Sequence, residues 1–177
     1  EKDNKIKKFA YSSSFGMSDI TSTWSSIVKK NLKDFERIGL REEDGYKIVS
    51  SILPKADIDI VLDPVFLLDS YFWSSISSPE LTPSSRYVLV YSLESNPKII
   101  EQAIELSKAN NLKIVAIHPF SNSFSFADIC INEAGPLEFI SLIKNAEYVV
   151  TNSFHGTAFS IIFEKDFYCI PHSKTGS

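Results

Sequence analysis

The segment RYVLVYSL, Arg86–Leu93, is apolar almost without interruption. A strand that faces water on one side alternates apolar and polar residues. A run like this one is expected where helices cover both faces of a parallel sheet. The residues after it fit that reading. Pro97 stands where a helix can begin without losing a hydrogen bond, Lys98–Asn110 carries helical spacing, and Asn110-Asn111 ends it. LKIVAIHP is then a second buried strand. Strand, helix and strand in this order imply a right-handed crossover in a parallel sheet.

The alternation continues in both directions. Downstream, Ser121–Glu133 is irregular with a short strand at Ile129–Ile131, and Pro136–Asn145 reads as a helix. AEYVVTNS is a strand, His155–Glu164 a helix and DFYCIP a strand. Upstream, KKFAYSSSFG is a strand running into a Ser/Gly turn, and Ile20–Phe35 is helical. RIGLRE is a brief apolar segment, and Glu42–Leu53 is a helix stopped by Pro54. DIDIVLDP is a strand closed by Asp63-Pro64, and Val65–Trp73 a short helix. The fold class is therefore α/β with doubly wound parallel sheets. SSISSPELTPSS, Ser74–Ser85, is rich in Ser and Pro and is the candidate linker. It separates one domain at 1–75, through a linker at 76–84, from a second at 85–177.

The bulk properties exclude several classes. In 177 residues, 44% hydrophobic and 23% charged, there is enough material for one or two domains with real cores. A net charge of −4 argues against non-specific binding to nucleic acid. No apolar run approaches the roughly 18 residues that span a bilayer. The opening EKDNKIKKF has lysines but no apolar signal-peptide segment after them, so a cytoplasmic location is expected. Cys130 and Cys169 lack metal-type spacing and read as reduced thiols, and the three histidines are far apart in sequence. No metal is expected. Paired carboxylates, a Gly-x-Ser-x-Gly elbow and the P-loop lysine are all missing.

Ligands of open parallel sheets bind outside the carboxyl ends of the strands. That rule selects Ser12–Gly16, Arg41, Asp63, Tyr91-Ser92, His118 and Thr151–Gly156. The richest of these lies in VVTNSFHGTAF, Val149–Phe159. Thr, Asn and Ser end a strand, and His155 opens a helix whose N-terminus favours an anion. A histidine there can carry a proton or a positive charge near neutral pH. The alternative is that Asn152 or Ser153 caps the helix and His155 packs. Arg41 follows an apolar strand and suits bidentate contact with carboxylate or phosphate, or else an ion pair with Glu42, Glu43 or Asp44. The turn YSSSFG offers hydroxyls and backbone N–H groups to an anion. Asp63 reads as a turn residue, and His172 in the tail carries no signal.

As a set, five stretches resemble the polysaccharide pyruvyl transferase family: KKFAYSSSFG, LKDFERIGLREEDGYKIV, VLDPVFLLDSYFW, YVLVYSLE and GPLEFISLIKNAEYVVTNSFHGTAFSIIFEKDF. They occur in the family's order over nearly the whole chain. The resemblance implies a GT-B-like architecture, two Rossmann-like domains facing a cleft. Members of the family are usually much longer, so the chain is expected to be a fragment. It would hold the C-terminal part of the first domain and most of the second. The implied reaction transfers pyruvate from phosphoenolpyruvate onto two hydroxyls of a sugar, forming a cyclic ketal and releasing phosphate. Acceptors would be capsular, exopolysaccharide or secondary cell-wall glycans, often lipid-linked, giving peripheral membrane association through the acceptor. The family's histidine-glycine motif falls on His155-Gly156 and its arginine-acid motif on Arg41-Glu42. Some members carry an arginine two residues before the histidine, where this chain has Ser153.

His155 is thus the expected catalytic residue, as general acid or phosphate clamp. The expected substrate contacts are Arg41, holding an anion from across the cleft, with Asn152, Ser153, Phe154, Gly156, Ser13, Ser14, Gly16 and His118. No cofactor and no nucleic-acid partner are expected, and the sequence carries no signal for an oligomeric state. Two other readings share these features: a GT-B glycosyltransferase with a nucleotide-sugar donor, and a non-catalytic anion-binding Rossmann-like domain.

Overall fold

The structure is a computed structural model that describes residues 6–117 and 125–172. These residues fall into two compact α/β units, one ending at Leu67 and the other beginning at Leu68. Every strand pairing within them is parallel.

The N-terminal unit runs β1 (Phe9–Ser13), α1 (Ser22–Leu32), β2 (Arg37–Leu40), α2 (Glu43–Ile52) and β3 (Ile58–Ile60), with the sheet in the order β1-β2-β3. Ile38, Leu40 and Val49 are its buried centre, with Leu32, Phe35, Leu53 and Ile58 packed around them. Thr21 starts α1 by accepting the Trp24 N–H, as a hydroxyl at a helix N-terminus is suited to do.

The C-terminal unit contains α3 (Ser70–Ile76), β4 (Tyr87–Tyr91), α4 (Pro97–Asn110), β5 (Lys113–Ile117), β6 (Ile129–Ile131), α5 (Pro136–Asn145), β7 (Tyr148–Thr151), α6 (Phe154–Ile162) and β8 (Asp166–Cys169). Its sheet order is β6-β5-β4-β7-β8. Counted from β4, that is the strand order of a Rossmann-like sheet, and the winding reverses between β4 and β7. The apolar run that suggests a two-sided strand is β4, with Tyr87, Val88, Leu89 and Val90 all buried. Each such aliphatic side chain contributes about 1.5–3 kcal/mol on burial. Asn96 caps α4 through its side chain and Pro97 opens it. Asn111 ends α4 in the left-handed conformation, with φ 52°.

One stretch folds differently from expectation. Val65–Trp73 is not one short helix. Pro64–Leu67 is a single 3-10 turn, and α3 starts only after Asp69, whose carboxylate accepts the Phe72 N–H at 2.8 Å. The cap moves the helix into the Ser-rich segment. That segment also packs: Ser78 N donates to Leu137 O at 3.0 Å, and the Thr82 and Ser141 hydroxyls lie 2.9 Å apart. The second compact unit begins at Leu68 and so includes α3, whose Trp73 sits edge-on to Phe159 of α6 at 5.1 Å.

Tyr87 ties the sheet to α5. Its buried hydroxyl donates to Leu142 O at 2.8 Å, in the last turn of the helix, where carbonyls lack intrahelical donors. Burial pushes the phenol well above its ordinary pKa. Tyr87→Phe keeps the ring and leaves that carbonyl short of a partner. It is expected to lower unfolding stability by about 1–2 kcal/mol, read from urea denaturation.

Candidate active site

The point where the winding reverses is crowded with polar residues. Thr151, fully buried at the end of β7, donates its hydroxyl to Tyr91 O at 2.7 Å and accepts from Ser153 N at 3.0 Å. One side chain therefore fixes both strand ends and the turn into α6. Ser153 is the N-cap: its Oγ accepts the Gly156 N–H at 3.4 Å, and its carbonyl accepts the Thr157 N–H at 3.0 Å. Asn152 is buried and accepts from Leu93 N at 3.0 Å, tying the β4–α4 turn to the β7–α6 turn. Gly156 is required by a close approach. A Cβ there would overlap the Thr151 hydroxyl and lie 3.1 Å from both Thr151 Cβ and Cγ2. The first turn of α6 presents Phe154 and His155 outward, both exposed, with their rings edge-to-face at 5.3 Å.

Beside His155 the surface opens into a pocket of about 620 Å³. Its wall is aromatic: Trp73 of α3, Tyr91 at the end of β4, Phe139 of α5 and Phe159 of α6. These rings contact one another edge-on, Tyr91 with Phe139 at 4.8 Å and Phe139 with Phe159 at 6.0 Å. Asn132, just past β6, and His155 stand at the rim, both exposed. No Lys, Arg, Asp or Glu is among the described residues that line it. The volume and the apolar wall with a few polar groups are those of a small-molecule site.

A second polar cluster lies along the same strand ends. Asn152 Nδ2 is 3.4 Å from His172 Nδ1, which is 3.7 Å from the Glu94 carboxylate. Asn96 Nδ2 bridges Glu94 Oε1 and Pro171 O, each at 3.2 Å. As a tail residue His172 carries no signal. It lies just past β8, however, and the strand-end rule applied to DFYCIP selects it. Trp73, Phe139 and Phe159 escape sequence reasoning for a different reason. Aromatic residues at helical spacing read as core, and only the fold aims them into one cavity.

In the N-terminal unit the expected anion-binding turn is filled by the protein's own carboxylate. Glu42 accepts from Ser14 Oγ at 2.7 Å, Phe15 N at 2.6 Å and Gly16 N at 3.0 Å. Ser14 and Gly16 thus have their donors engaged, and Ser13 contributes its carbonyl to Arg41 N at 3.1 Å. The Arg41 side chain reaches past the adjacent acids. Its guanidinium meets Asp63 at 2.7 Å, across the sheet edge, and Asp63 is buried. The other Asp63 oxygen accepts Val65 N at 3.1 Å, closing the turn expected of it. Ser12 is held at φ 56°, buried, with no hydrogen-bond partner for its hydroxyl among the described residues. His118 lies outside the described residues.

A family model described as "Polysaccharide pyruvyl transferase" matches residues 2–174. The chain belongs to the polysaccharide pyruvyl transferase family. Two more distant likenesses accompany it. Over 127 residues, 68% of this chain, it is 26% identical to a DNA primase small subunit of Saccharomyces cerevisiae, of which it spans 29%. Among solved structures it is similar to the UDP-GlcNAc 2-epimerase of Methanocaldococcus jannaschii in complex with UDP-GlcNAc and UDP. That match has 15% identity and a TM-score of 0.47, and covers 76% of this chain and 45% of the epimerase chain. The chain thus spans under half the length of either protein. In this member of the family the His-Gly pair divides its labour: Gly156 is buried against Thr151 and seats the helix, and His155 faces out.

Gly156→Ala forces a methyl into Thr151, and overpacking of this kind costs about 1–3 kcal/mol. The variant is expected to unfold earlier in a denaturant titration. Glu42 titrates against its neighbours. Burial pushes its pKa up, but the hydrogen bonds from Ser14, Gly16 and Phe15 and the charge of Arg41 outweigh that and leave it lowered. A carboxyl lowered on folding stabilises above its unfolded pKa, and the gain is lost as pH falls through the folded value. Glu42→Gln is therefore expected to be destabilising at neutral pH. The deficit should shrink as pH drops below the ordinary carboxylate range, as measured by unfolding at a series of pH values.

Proposed function

We propose that this chain carries the histidine end of a ketal-forming pyruvyl transfer from phosphoenolpyruvate to a sugar of a cell-surface polysaccharide. The observation that carries the reading is His155: within the family match, it stands exposed on the first turn of α6, where the winding of the sheet reverses, beside an open pocket. Phosphoenolpyruvate presents a phosphate and a carboxylate, and a helix N-terminus with an imidazole beside it is a site for such anions.

The chemistry needs a proton on the methylene carbon, which makes C2 electrophilic. One sugar hydroxyl then adds to C2, giving up its proton as the C–O bond forms. The second hydroxyl attacks the same carbon and passes its proton to the phosphate as the C2–O bond to phosphate breaks and phosphate departs, while the proton from the first hydroxyl balances the one placed on the methylene carbon. The product is a six- or five-membered cyclic ketal bearing the carboxylate and a methyl group. His155 serves as the general acid or as the charged clamp on the departing phosphate. Ser153, where some members have an arginine, is committed to capping α6, so the imidazole and the helix dipole carry more of the donor's charge here. Any glycan acceptor anchored to lipid would bring the protein to a cytoplasmic membrane face.

General acid–base catalysis contributes about two to four orders of magnitude. His155→Gln in the intact protein is expected to slow release of phosphate from phosphoenolpyruvate by about that factor, with an unchanged melting curve because the side chain is exposed. A rate within threefold of the parent would overturn the assignment, and release of a nucleoside diphosphate from a sugar nucleotide would replace the donor.

A further inference from the structure

Resting on that reading, we infer that the aromatic pocket beside His155 seats the pyranose ring of the acceptor, and that the donor does not enter it. Charge separates the two substrates. Phosphoenolpyruvate is a small, multiply charged anion, and the pocket's described lining has no Lys or Arg to receive it. The imidazole of His155 can meet an anion at the rim, but an anion carried past it onto Trp73, Phe139 and Phe159 has no charge to compensate it, which is strongly unfavourable. A nucleoside diphosphate fails on the same ground, since its phosphates need cations or several N–H donors.

Shape and polarity point the same way. A cavity of about 620 Å³ has room for a sugar ring and more than a three-carbon acid requires. A pyranose has an apolar face of C–H bonds and an edge of hydroxyls. The lining supplies both kinds of group: rings of Trp73, Phe139 and Phe159 for the C–H face, and Tyr91, Asn132 and His155 as polar groups for the hydroxyls. The Tyr91 hydroxyl has no hydrogen-bond partner among the described residues, although the ring is half-buried and locked edge-on to Phe139. A hydroxyl left open on a fixed ring is a ready partner for a sugar hydroxyl. The locked wall also means that little side-chain order has to be imposed on binding. A ring seated there shares its cavity with His155.

The chain has two tryptophans, and Trp24 lies exposed on α1 outside this unit. In a Trp24→Phe background, Trp73 is therefore the sole indole reporter. Methyl hexopyranosides (gluco, galacto, manno and their N-acetyl forms) are titrated against Trp73 emission, alongside phosphoenolpyruvate and UMP. A saturable response to at least one pyranoside, and none to the two anions, is expected. Tyr91→Phe, which keeps the packing, should weaken that pyranoside about 2- to 10-fold, and Phe139→Leu should weaken it as well. A response to UMP or phosphoenolpyruvate with none to any pyranoside overturns the inference, as does pyranoside binding untouched by both variants. Turnover separates this inference from the reading beneath it. If phosphate is released with a glycan acceptor but Tyr91→Phe leaves the acceptor KM unchanged, the pocket assignment fails and the reaction stands. If pyranosides bind at Trp73 as described but none ever gains pyruvate, the reaction fails and the pocket assignment stands.

Discussion

The Thr151 hydroxyl is a single buried group with two obligations. It donates to Tyr91 O and accepts from Ser153 N, so the ends of β4 and β7 and the entry to α6 cannot move independently. The contact requires a helix turn pressed directly onto it, and only a residue without a Cβ fits at position 156. Much of the candidate site depends on this seat. Tyr91 is the residue whose carbonyl is held, and its ring then stands at the pocket wall. His155 is the neighbour of the glycine, and the packing that buries Gly156 leaves the imidazole outside. A histidine-glycine pair is thus one structural device with two ends, a buried end that fixes position and an exposed end that carries the imidazole.

In the N-terminal unit, charged groups serve the fold itself. Glu42 holds three donors of the turn after β1, and Arg41 is committed to the buried Asp63. Both arrangements avoid a cost. Unpartnered N–H groups in a tight turn, or a carboxylate buried without a cation, are each unfavourable by several kcal/mol at worst. The sequence spacing Arg-Glu therefore carries a structural meaning that holds whatever the unit binds: adjacent residues at a strand end point opposite ways, and each closes a different loop.

The α/β class and the parallel strands are legible in the sequence because both rest on local rules. A continuous apolar run such as Tyr87–Tyr91 fits a strand covered twice, and Asn96-Pro97 or Ser153 mark helix starts through their own side-chain chemistry. The α3 boundary is not legible, because a Ser-rich composition resembles a linker, whereas Asp69 caps a helix there and Trp73 finds Phe159 across the unit. His155, Tyr91 and the turn at Thr151 emerge from the strand-end rule. Trp73, Phe139 and Phe159 do not, since nothing in their spacing distinguishes a core aromatic from one that lines a cavity. The place of Glu42 as occupant of the YSSSFG turn is equally beyond sequence, because it depends on two loops separated by 26 to 28 residues meeting in space.

The placement of aromatic and ionisable groups at the reversal point reflects what a parallel sheet makes available there. Strand ends diverge where the winding changes direction, so a crevice exists without any residue being removed from the core. Apolar rings can line it at little cost because they pack edge-on against each other, as Tyr91, Phe139, Phe159 and Trp73 do. A charged side chain in the same wall would have to be desolvated and paired, as Arg41 is with Asp63 in the other unit. The C-terminal unit instead keeps its ionisable group, His155, at the rim, on a helix terminus where water still reaches it. The result is a recess whose described lining carries no Lys, Arg, Asp or Glu, bordered by an exposed imidazole.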